Sequence, residues 1–129
     1  MNSASRNNKF IFVLLYIQGI YFTVTGIWPF IHLESFLWVT GPKTDIWLLK
    51  TVAALITIVG ITYLVGAFRR EISYALVTLA LGGTFSLMAV DIYYATTDVI
   101  WDVYLLDAIA EAGIIFAWIF ILVNGKFSL

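Results

Sequence analysis

Four stretches of this chain run for 18 residues or more with almost no charge. Phe10 to Ile31 is uncharged over 22 residues, Thr51 to Phe68 over 18 and Ile72 to Val90 over 19. Val103 to Val123 covers 21, interrupted only by Asp107 and Glu111. A helix needs about 20 apolar residues to cross roughly 30 Å of hydrocarbon, with every backbone group satisfied inside its own segment. The alternating segments of about ten residues that a membrane β-barrel would need are absent. The chain is therefore expected to be all-α. The predicted fold is a four-helix transmembrane bundle, one integral membrane domain over residues 1–129, with spans at about 10–31, 46–68, 72–94 and 103–123.

Composition agrees. Hydrophobic residues make up 62% of the chain and charged ones 12%, against roughly 25% charged in a soluble domain. The lipid bilayer is the first partner implied. A net charge of −1 without a basic tract argues against nucleic acid. The lack of cysteine removes disulfides, thiol redox chemistry, iron–sulfur clusters and covalent haem attachment. The first span is too long for a signal-peptide core and no small-residue cleavage site follows it; Trp28, Pro29 and Phe30 are expected to end it.

Charge sets the predicted orientation. Arg6, Lys9, Arg69, Arg70 and Lys126 fall on one side, and Lys43 is the basic residue of the loops on the other. The positive-inside rule then places both termini in the cytoplasm. Trp28, Trp38, Trp47 and Trp101 fall at the outer interface, as an aromatic belt would. Short connections predict antiparallel neighbours in up-down-up-down order. In the first outer loop, Leu33, Phe36 and Leu37 share a helical face and Gly41-Pro42 supplies a stop, so His32 to Val39 reads as a short interfacial helix. Thr44 or Asp45 is expected to cap span two, and Thr97 or Asp98 span four. His32, beside Glu34, reads as a snorkelling side chain.

An internal repeat is visible. Asp45-Ile-Trp-Leu-Leu-Lys50 aligns with Asp102-Val-Tyr-Leu-Leu-Asp107 at an offset of 57 residues. Duplication and the ordinary likeness of apolar helices both account for it. In either case Lys50 and Asp107 fall at equivalent depth with opposite charge.

Ionisable groups inside a membrane are costly and mark functional candidates. Lys50 and Asp107 each lie five residues into their spans, and Glu111 one turn deeper on the same face as Asp107. Two carboxylates this close in a low dielectric cannot both ionise cheaply. Lys50 is expected to neutralise one, leaving the other as a proton carrier or hydrogen-bond donor. Gln18, Tyr21 and Thr25 share a face of span one and are candidates to join this pocket. Two structural alternatives stand beside it: a Lys50–Asp107 pair that only fixes helix register, and a protonated Glu111 bonded to Tyr21. Asp91, near the end of span three, reads as an interface residue. Ala110, Gly113 and Ala117 are small enough to allow close helix approach. Glu-x-x-His is absent and nitrogen ligands are few, so no zinc or di-iron site, no resident metal and no cofactor are expected. No nucleophile–base pair or phosphate-binding loop appears, and no catalytic residue is assigned.

Arg6 ahead of Gly19-Ile-Tyr-Phe and Gly26-Ile-Trp resembles the opening of DoxX-like small membrane proteins, over about thirty residues. The resemblance implies a four-helix bacterial inner-membrane protein, an accessory subunit associated with redox partners. Two functions follow as expectations. One is a polar pocket in the outer half, built from Lys50, Asp107, Glu111, Tyr21 and Thr25, that binds or helps translocate a small polar ligand, a cation or a proton. Four helices are few for a pathway, so transport would require a dimer or larger assembly. The other is a non-enzymatic accessory or structural subunit of a membrane complex, in which the charges hold helices or a partner protein together.

Overall fold

The computed structural model describes the backbone of residues 3–124 and side chains from Lys9 onward; the sequence-level assignments of Arg6 and Lys126 lie outside those side chains. Five helices follow in order: α1 (Ser3–Ile31), α2 (Leu33–Thr40), α3 (Ile46–Arg69), α4 (Tyr74–Thr96) and α5 (Val103–Asn124). Four of them are long and apolar enough to span a bilayer. Large apolar side chains point outward along them, with Phe68 80%, Phe116 73% and Val123 76% exposed. Such a surface is stable only against lipid, and the protein is a multi-pass membrane protein.

The local chemistry of the chain sets the helix ends. His32 is the N-cap of α2, its Nδ1 accepting from the Ser35 N–H at 3.1 Å, which gives this residue a structural task. Gly41, at φ 94°, stops α2 in a conformation that favours glycine. Ser73 caps α4 through the Leu76 N–H, so the third span opens at Tyr74, two residues after the expected start. Arg70 ends α3 in the left-handed region at φ 55°, and the Glu71 N–H returns to the Gly66 carbonyl.

α1 ends at Ile31, where the first span was expected to end, and it runs through Pro29 because a proline in the last turn removes one backbone bond and the His32 N–H still reaches the Trp28 carbonyl. Two capping expectations need correction. Thr97 is the C-cap of α4, its hydroxyl donating to the Tyr93 carbonyl, and α5 starts only at Val103, too far on for Thr97 or Asp98 to cap it. Asp45 occupies the N-cap position of α3 without a side-chain cap bond.

The helices pair as two hairpins. α1 packs along most of α3, and α4 along α5; α1 also touches α5, whereas α3 meets α4 in few places and the α3 and α5 backbones do not approach closely. Glycine permits the first pairing. A Cβ on Gly60 would lie 2.6 Å from the Thr23 nitrogen and 2.9 Å from the Gly19 carbonyl, and one on Gly26 would lie 2.7 Å from the Ala53 carbonyl. Gly113 does not have the close-approach role its size predicts: an added Cβ would meet nothing within 4 Å.

The hairpins are tied together by Gln18 of α1, which is fully buried. Its Nε2 donates to the Ala80 carbonyl at 3.0 Å and to Thr84 Oγ1 at 2.7 Å, both on α4. Its Oε1 accepts from Trp118 Nε1 of α5 at 2.9 Å. The Tyr63 hydroxyl adds a link from α3 to the Leu79 carbonyl at 3.1 Å. Lys9, Arg69 and Arg70 lie at one end of the bundle, with Arg70 over the Phe12 ring, and α2 lies at the other.

Candidate functional site: three carboxyl groups at one wall of a cavity

Helical spacing carries the site away from the Gln18 knot. Asp91 follows Thr84 by seven residues on α4, and Glu111 precedes Trp118 by seven on α5. Seven residues are close to two full turns, so each acid sits on the buried stripe of its helix, about 10 Å from the knot. The helices run antiparallel, so both displacements point toward the α2 end. Asp107, one turn from Glu111, completes the group. Carboxyl oxygens of Asp91, Asp107 and Glu111 all lie within 4.8 Å of one another.

Glu111 is 1% and Asp91 7% exposed; Asp107 is half-buried. Asp91 Oδ2 and Glu111 Oε2 meet no N–H or hydroxyl donor, and the two carboxyl groups stand within hydrogen-bond reach of each other when one of them holds a proton. No ion pair among the described residues compensates the acids either: the single one is Arg69–Glu71 at 3.0 Å, exposed and at the opposite end. Three negative charges at this separation in a weakly polarisable interior would repel one another strongly. The cluster must therefore be neutralised by protons or by a bound cation.

The acids open onto a cavity of about 530 Å³ between the two hairpins and under α2. Its other walls are mainly apolar and aromatic, among them Tyr21, Trp28, Phe36, Ile56 and Tyr104. Trp28 and Phe36 meet edge to face with centroids 5.4 Å apart, and the Trp28 indole N–H is committed to Ser35 Oγ. Lys43 stands 5.3 Å over the Tyr104 ring and donates to the Thr40 and Gly41 carbonyls. Partial burial lowers its pKa from the ordinary lysine value.

Of the residues expected to form the pocket, Asp107, Glu111, Tyr21 and Thr25 line this cavity. Tyr21 forms no hydrogen bond with Glu111, and the Thr25 hydroxyl donates to the Tyr21 carbonyl. Lys50 is exposed and pairs with neither acid. The wall that α3 presents is Leu49, Val52, Ala53 and Ile56, and Lys50 sits about 100° around the helix from Leu49. Equal depth did not bring it to the same face. Gln18 serves helix packing. Asp91 is the residue that sequence reasoning placed at the headgroups and the structure places in the cluster; its seven-residue spacing from Thr84 is the signal that marks it as inward-facing.

No protein-family model, curated protein or solved structure matches this chain.

Proposed function

We propose that the carboxyl cluster is a cation-binding site of a small membrane protein, with the proton as one occupant. One observation carries this reading: three acids from two helices converge at a cavity, two of them buried with oxygens that no N–H or hydroxyl reaches, and no basic side chain among the described residues pairs with them. A purely structural cluster is normally closed by a basic partner or by full hydrogen bonding, because leaving a buried charge uncompensated is strongly destabilising. An intramembrane acid cluster facing a cavity is the usual setting of ion and proton pathways. We further propose that this end faces outward, since Lys9, Arg69 and Arg70 lie at the other end.

N,N′-dicyclohexylcarbodiimide, an apolar carboxyl reagent, tests the reading. It is expected to modify Glu111 or Asp91, mapped by mass spectrometry, and added cation is expected to suppress the modification. Absence of labelling at the cluster, or labelling unaffected by Na⁺, Ca²⁺ and tetraphenylphosphonium alike, would overturn it.

The accessory-subunit reading, which the DoxX-like resemblance implies, has its own support. Gly82 of α4 and Gly113 of α5 have open space where a Cβ would stand, which admits a helix of a partner or of a second copy. A cation-binding cluster and a partner helix occupy different faces and are compatible.

A further inference from the structure

We infer that the cavity takes a lipophilic organic cation, an aryl- or alkyl-substituted onium group, with its charge against Asp91, Asp107 and Glu111 and its apolar substituents against the aromatic walls. The inference rests on the cation-binding reading and specifies the class of occupant. Three observations carry it.

The first is the isolation of the acids: Glu111 Oε2 and Asp91 Oδ2 are buried in the cavity wall and meet no N–H or hydroxyl, so that outside the carboxyl groups themselves nothing satisfies them. The second is the mismatch between the cavity and a bare ion. Ca²⁺ takes 6–8 oxygen ligands and Mg²⁺ about six in octahedral geometry, and both hold water tightly. Here the convergent oxygens are one from each of three carboxyl groups, short of either shell. Beyond the acids the wall is mainly apolar, and a cavity of about 530 Å³ is far larger than any bare ion. That volume falls in the range of about 300–1,000 Å³ typical of organic-ligand sites, which are mostly apolar with a few placed polar groups. A weakly hydrated organic cation needs no completed oxygen shell. Tyr21, Trp28, Phe36 and Tyr104 offer the ring faces and edges against which such cations pack.

The third observation is the route. Val52 of α3 and Leu106 of α5 both line the cavity, yet they are 44% and 67% exposed. Val90 of α4, also in the wall, is exposed as well, so lining side chains on three spanning helices reach the flank of the bundle, and in a bilayer that flank faces lipid. An occupant that first partitions into the membrane reaches the acids without crossing a polar entrance.

The test is binding to the full chain reconstituted in lipid nanodiscs, read as the shift in thermal unfolding. The probes are tetraphenylphosphonium, its near-isosteric anion tetraphenylborate, tetramethylammonium, Na⁺ and Ca²⁺. Tetraphenylphosphonium is expected to raise the melting temperature saturably, and tetraphenylborate and tetramethylammonium to leave it unchanged. Asp91→Asn with Glu111→Gln is expected to weaken the phosphonium about tenfold or more. Equal stabilisation by phosphonium and borate would overturn the inference, because the site would then read only apolar bulk. Stabilisation by Na⁺ or Ca²⁺ without phosphonium would overturn it too, while leaving the cation-binding reading intact; no response to any cation would count against both. Should the double variant fail to fold, the phosphonium–borate comparison on the unaltered chain still decides.

Discussion

Two buried polar centres lie about 10 Å apart in this bundle, and they are built on opposite principles. Around Gln18, each polar atom of the amide has a partner: Ala80 and Thr84 on α4, Trp118 on α5. At Asp91, Asp107 and Glu111, two buried oxygens meet no N–H or hydroxyl, and carboxyl groups of one charge type crowd together. In hydrocarbon a satisfied amide joins helices cheaply, whereas an unsatisfied carboxyl costs free energy that has to be recovered elsewhere. The difference teaches how to separate glue from site in a membrane interior, where both look alike as isolated polar letters in an apolar run. Glue saturates its own hydrogen bonds; a site leaves them for something that arrives.

The sharpest way to break the comparison is to delete the amide. Gln18→Leu keeps the approximate volume but strands the Trp118 N–H and the Thr84 hydroxyl in the core. The variant is expected to lose about 2 kcal/mol in a reversible unfolding titration in mixed micelles. The acid cluster should respond with the opposite sign. Asp91→Asn, measured without added ligand, removes one of three mutually repelling charges and supplies an N–H₂ donor to the neighbouring carboxyl. It is expected to be neutral or to stabilise by about 1 kcal/mol. A destabilisation by Asp91→Asn as large as that of Gln18→Leu would show that both centres are structural, and the distinction drawn here would collapse.

Much of this architecture was legible in the residues. The four spans were, because backbone in lipid forces long apolar helices and leaves little freedom in length. The short helix after span one was as well, through the Leu33, Phe36, Leu37 face and the Gly41-Pro42 stop, one residue out of register with the observed Leu33–Thr40. The pairing of Asp107 with Glu111 followed from their spacing. What did not follow was rotation about the helix axis relative to other helices. Asp91 looked interfacial because the third span was expected to end at about residue 94, and α4 runs on to Thr96. It lies five residues inside the end of α4 at Thr96, and Asp107 lies four inside the start of α5 at Val103, so the two share a depth. The cavity itself was invisible in the sequence, since it arises where two hairpins fail to close on each other.

Lys50 makes the same point from the other side, and it supplies the smallest expected effect. The repeat that aligns Asp45–Lys50 with Asp102–Asp107 equates a lysine with a carboxylate, and equal depth invites an ion pair between them. Asp107, however, is on the cavity face of α5, whereas the cavity face of α3 passes through Leu49, Val52, Ala53 and Ile56 and leaves Lys50 outside it. An exposed lysine only one turn into α3 from Ile46 carries its ammonium on a long flexible stem toward the headgroups and has no buried charge to compensate. Lys50→Met is therefore expected to change unfolding stability by no more than about 0.5 kcal/mol and to leave cation protection of the cluster as it was. A loss of stability that disappears when Asp107→Asn is added would instead reveal a lysine–carboxylate pair, and the cluster would then already hold the cation it is argued to await.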